Sequence, residues 1–142
     1  MSMFRTIVLL ISFSLISMGT KAEVTVTDSW IRAVPAMMKM SAAYLKLTND
    51  TQTDILLTGA RVDFSKKTEI HDHVMSNGLM SMVHAELPIL IKSGSSLEFK
   101  PKGLHIMFIG LETTLIPGAE HEIELLFDTH APIRFSTQVA GN

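Results

Sequence analysis

The sequence predicts an all-β fold, a sandwich or barrel with Greek-key connections, on three observations. Many short runs of β-type composition recur at close spacing, turn residues stand between them, and no stretch beyond the first two dozen residues supports a helix longer than a turn or two. The runs in order are "VTVT", "SAAYLKLTN", "DILLTGARV", "TEIHDHVM", "LMSMVHAEL", "ILIKSG", "SLEFKP", "LHIMFIGL", "HEIELLF" and "PIRFSTQV". "YLKLT" and "IRFSTQV" alternate apolar and polar residues, the pattern of half-buried strands. "ILLTG" and "LHIMFIGL" are nearly continuous apolar runs and suit central strands. Asn49-Asp50, Asn77-Gly78, Ser93-Gly94 and Pro117-Gly118 supply turn chemistry between runs. No internal repeat, linker or low-complexity tract interrupts them.

The first residues are read apart from the fold. "MSMFR" carries a positive charge, "TIVLLISFSLISMG" is a short apolar run, and Thr20 and Ala22 place small residues before a cut preceding Glu23. That is the pattern of a signal peptide over residues 1–22, with an apolar run short for a membrane span. The expectation is export, to a bacterial periplasm, with no stable membrane insertion after cleavage. Residues 23–142 are then one domain of a size that buries about two-thirds of its unfolded surface.

Cleavage removes Arg5 and Lys21, leaving ten basic side chains against fourteen acidic ones and a net charge of −4 with neutral histidines. With no basic block, nucleic acid and anionic membrane surfaces are poor partners. The chain has no cysteine. That excludes a thiol nucleophile, a cysteine-based zinc site and the His/Cys centre of blue-copper carriers. Any metal must be held by His, Met, carboxylates or backbone.

Histidine and methionine are concentrated in "EIHDHVMSNGLMSMVH", residues 69–84. Asn77-Gly78 is a type I′ hairpin signal, because both residues tolerate positive φ. On the first arm His71, His73 and Met75 share a face by period two; on the second, Met80, Met82 and His84 do. His71 and Met82 are expected close across the pair, with the register left open. A second cluster, "PKGLHIMFIGL", places His105 and Met107 on one face of a strand. Thioether is a soft donor with no proton to lose and imidazole a borderline one, so the combination favours Cu(I) over Mg, Ca or Mn. Zinc is less well served, since it prefers thiolate, imidazole or carboxylate. Water or another imidazole would let the same site hold Cu(II).

These residues resemble the periplasmic copper chaperone family PCu(A)C. The similarity runs from "WIRAVP" through "AAYLKLTN", "EIH" and "NGLMSM" to "PKGLHIMFIGL" and "LIPG", nearly the whole chain after the leader. Pro101-Lys102-Gly103 departs from the family where a second glycine is more usual. The resemblance implies a cupredoxin-like β-sandwich binding one copper near its surface through His71, Met82, His105 and Met107. It implies delivery of copper in the periplasm to an acceptor protein, notably the CuA centre of cytochrome c oxidase, its subunit or assembly factors. A monomer without enzymatic activity is expected.

Other readings stand beside this one. Single methionines on strands are commonly core filler, and Met37, Met38 and Met40 in the loop "PAMMKM" read as hydrophobic packing, with copper capture or a partner contact by a flexible Met patch left open. His121 and His130 read as surface or turn residues. His73, Met75, Met80 and His84 read as exposed or packed, with an assisting role open. Trp30 and Arg32 read as a packed aromatic and a covering charge. A copper buffer or tolerance protein would share the site without a specific acceptor, and a non-metal adhesive sandwich is the alternative from another class. A copper enzyme lacks a second constellation of acid, base or nucleophile. Because imidazole binds metal only when neutral, copper affinity is expected to fall below about pH 6.5.

Overall fold

The computed structural model describes residues 21–141; the leader expected over 1–22 lies outside them except for Lys21 and Ala22. Ten strands form, one for each run read from the sequence: β1 (Val24–Ile31), β2 (Met40–Asn49), β3 (Ile55–Arg61), β4 (Ser65–Ser76), β5 (Leu79–His84), β6 (Ile89–Ile91), β7 (Ser96–Phe99), β8 (His105–Leu111), β9 (Glu120–Phe127) and β10 (Ile133–Val139). Among the described residues there is no helix.

Hydrogen bonding runs in the order β5-β4-β8-β2-β1-β10-β9-β3-β6, with β7 also on β2. The halves meet at one short parallel pairing, Trp30 with Gln138 and Ile31 with Val139. One hydrophobic cluster joins them: Ala43, Leu45, Leu47, Ile106 and Phe108 from the first half lie in it with Leu57, Ile123 and Leu125 from the second. Burying a side chain such as Phe108 contributes about 2–3 kcal/mol. Phe64 links the layers, its ring edge-on to Phe108 at 4.9 Å and 4.8 Å from the His121 ring on β9. His121 is therefore half-buried on a strand, with its Nε2 enclosed and unpartnered, rather than a surface or turn residue.

Asn49 ends β2 fully buried, and each end of its amide is satisfied. Nδ2 donates to the carbonyls of Thr53 (2.9 Å) and Ile91 (3.0 Å), while Oδ1 accepts from the Thr51 backbone N–H (3.1 Å) and hydroxyl (2.6 Å). A buried amide is tolerable only when so paired. Glu124 on β9 is likewise paired, with Arg61 and Arg134, and Arg61 first among them holds its carboxyl below the ordinary 4.5.

β8 lies between β4 and β2 and is buried on both faces. Ile106 and Phe108 point to the apolar core, whereas His105 and Met107, by strand alternation, occupy the outer face. That outer face positions the candidate site.

Candidate metal centre

Asn77 and Gly78 take φ of 50° and 78°, the left-handed pair that a type I′ turn requires. A two-residue turn makes positions equidistant from it face each other. Met75 thus pairs with Met80, His73 with Met82, and His71 with His84. Met82 is directly opposite His73 and only diagonal to His71. On its other side β4 pairs with β8, setting His71 opposite His105 and Glu69 opposite Met107. β2 lies beyond β8, with Ala42 opposite Met107.

The outer face of β8 therefore gathers donors from both sequence clusters. His73, Met82, His105 and Met107 line one open pocket, together with Met38 and Met40. His71 lies beside it, its ring 5.9 Å from that of His105 and 4.5 Å from that of His84. Exposure divides the four expected ligands: His71, His105 and Met107 are buried, while Met82 is 46 % exposed. The methionines of "PAMMKM" are not packed as the sequence reading had it. Met37, Met38 and Met40 are all exposed, because their segment spans the pocket rim rather than the core.

Hydrogen bonds fix which nitrogens are free. His105 Nδ1–H donates to the Gly103 carbonyl at 2.9 Å, which leaves Nε2 with the lone pair. The same carbonyl stands 3.3 Å from His73 Nδ1, and the two rings are 5.2 Å apart. Burial lowers the His105 pKa from its ordinary 6.5, opposed by the Gly103 hydrogen bond and assisted by the neighbouring His73, His71 and Arg32. Its imidazole is thus kept neutral, the form a metal needs. Around His71, Nε2 lies 2.8 Å from Glu69 Oε2, and Nδ1 is buried with no partner. Glu69 also meets Lys67 through Oε1 at 2.8 Å, and His84 Nδ1 stands 3.6 Å from Oε2. Lys67 first, then His71, lowers the Glu69 pKa to about 2, so this carboxylate is ionised and accepts only.

Behind His105 stands an aromatic platform. The Trp30 and Tyr44 rings are 4.5 Å apart, Tyr44 is 6.5 Å from His105, and the Arg32 guanidinium lies 5.6 Å from the Tyr44 centroid. Arg32 also lines the pocket. Its place there depends on β1, β2 and β8 being neighbours, which no local pattern announces. Glu69 was legible: it precedes His71 by two residues and so shares its face.

A profile of the family described as "Putative lipoprotein LpqE-like" matches residues 24–139. The chain belongs to the LpqE-like family, the PCu(A)C family of the sequence reading. Among curated relatives of this family member, "Putative lipoprotein Lxx21020" of Leifsonia xyli is 31% identical over 77% of the chain, and the match spans only 65% of that protein's own length. Several solved structures share its fold. The Cu(I) form of DR1885 from Deinococcus radiodurans superposes with a TM-score of 0.63 at 27% identity, covering 88% of this chain and 84% of that one. The copper-bound PCuAC domain from PmoF2 gives 0.69 at 15% identity, covering 87% and 97%. The LpqE-like chain accordingly has the cupredoxin-like all-β fold that the sequence led us to expect.

Proposed function

We propose that this LpqE-like chain is an exported copper carrier that binds one Cu(I) through His71, Met82, His105 and Met107 and passes it to an acceptor protein. The observation that carries the reading is the pocket floor on β8. There a buried, neutral imidazole with a free Nε2 lies beside a buried thioether, and Met82 and His73 face them from the hairpin. Soft sulfur beside borderline nitrogen favours a cuprous ion. Arg32 adds to that preference, since a nearby guanidinium opposes a doubly charged ion more than a singly charged one. The unpartnered Nδ1 of His71 is a further lone pair awaiting an acceptor of its electrons. His73 is an alternative fourth donor, because it faces Met82 directly and lines the pocket where His71 does not.

Export through a cleaved leader over residues 1–22 into the periplasm belongs to the same reading, with residues 23–142 as a single functional domain, monomeric and non-enzymatic. The acceptor that fits a soft, open site is one with its own sulfur and nitrogen ligands, such as the CuA centre of cytochrome c oxidase.

Titration with Cu(I) against a competing chelator is the test. Wild type takes up one equivalent, and absorption-edge spectroscopy finds both S and N neighbours. The double variant His105→Ala, Met107→Ala loses that uptake. Full Cu(I) affinity in this variant contradicts the assignment. Comparing His71→Ala with His73→Ala decides which supplies the fourth donor. A fall of oxidase activity at low copper in a strain lacking the chain separates delivery from simple buffering.

A further inference from the structure

Glu69 is a largely enclosed charged side chain, in contact with the candidate ligand His71, that the copper reading leaves without a task. Its side chain is 18% exposed and that of His71 9%, so this contact is shielded from water. The carboxylate is clamped at both oxygens. Lys67 Nζ holds Oε1 at 2.8 Å, and Oε2 lies 2.8 Å from His71 Nε2. An ionised carboxylate can only accept, so the His71 proton sits on Nε2. A neutral imidazole has one proton, and Nδ1, buried and unpartnered, therefore carries the lone pair.

We infer that Glu69 is a positioning residue: it locks His71 in the Nε2-protonated tautomer, so that Nδ1 is the nitrogen His71 offers to copper. This rests on His71 being a copper ligand. The arrangement of carboxylate, imidazole and metal is a general means of orienting a ligand histidine and raising its basicity. His84 Nδ1 is the other imidazole nitrogen near Oε2, at 3.6 Å, but its side chain is 73% exposed and open to solvent.

The isosteric variant Glu69→Gln gives the sharpest test, because glutamine has one accepting oxygen where glutamate has two. Lys67 can only donate and claims that oxygen, which turns the amide NH2 toward His71 Nε2. The His71 proton should then move to Nδ1 in the metal-free variant, observed by long-range proton–nitrogen NMR. Cu(I) affinity should fall about 10–100-fold, the usual loss when such a partner is altered. Adding Lys67→Met frees the glutamine oxygen for His71 and should restore both the Nε2-protonated tautomer and most of the affinity. A merely structural role for Glu69 predicts neither the proton's move nor its return. Wild-type protein with His71 protonated on Nδ1 overturns the inference, as does Glu69→Gln with tautomer and affinity unchanged. A changed tautomer with unchanged Cu(I) affinity overturns the assignment of Nδ1 as ligand. The tautomer is read without metal, so its result is separable from the failure of copper binding itself.

Discussion

The two strands that flank the pocket are built on opposite terms. Four of the seven positions in β8 from His105 onward are buried in an unbroken run, and the strand has neighbours on both sides. β5 is an edge strand with every residue exposed, held only by β4 and the Asn77-Gly78 turn. One imidazole and one thioether thus sit on a rigid floor, while Met82 reaches over from an arm that solvent surrounds. In the proposed copper carrier, such a ligand set would hold the ion through its fixed half and yield it through its exposed half. On that proposal an acceptor's ligands would enter on the exposed Met82 side, away from the core.

The largest expected effect tests that contrast directly. Met107→Ala removes a buried side chain from the floor and should cost about 2–5 kcal/mol of stability by chemical denaturation. Met82→Ala should change stability by no more than about 0.5 kcal/mol. Both should weaken Cu(I) binding, Met82→Ala by roughly tenfold, or about 1.4 kcal/mol. Equal destabilisation by the two variants would erase the distinction between arm and floor. A smaller effect isolates the arm. No atom crowds the place where a Cβ on Gly78 would lie, so Gly78→Ala meets only the cost of its φ of 78°, about 1–2 kcal/mol. That strain should appear as roughly tenfold faster amide hydrogen exchange in β5, with β8 unchanged. The smallest effect concerns the loop entering β8. Lys102 holds a φ of 66°, a conformation natural to glycine. Lys102→Gly should therefore stabilise by about 0.5–1 kcal/mol, relief of strain being partly offset by chain entropy. Loss of stability there would mean that the lysine side chain is needed at the rim.

How much of this was legible follows from the range of each interaction. Strands and the hairpin turn are local, and all ten runs and the Asn77-Gly78 turn stood in the sequence. The hairpin register was also there, unread: a two-residue turn dictates that His73, not His71, faces Met82. Placement of Arg32 and Tyr44 beside His105 was not, because it needs β1, β2 and β8 to be assembled first. The exposed "PAMMKM" methionines misled for a related reason. Composition says that methionine prefers burial, but only tertiary position says whether a core lies beneath it.

A single peptide oxygen, that of Gly103, lies within reach of the Nδ1 atoms of both His73 and His105. The orientation of these two rings is consequently inherited from the path of the main chain, whereas His71 is held by the Glu69 side chain. Residues around the entrance can change in size or charge without turning those rings, provided the bend at Pro101–Gly103 keeps its shape.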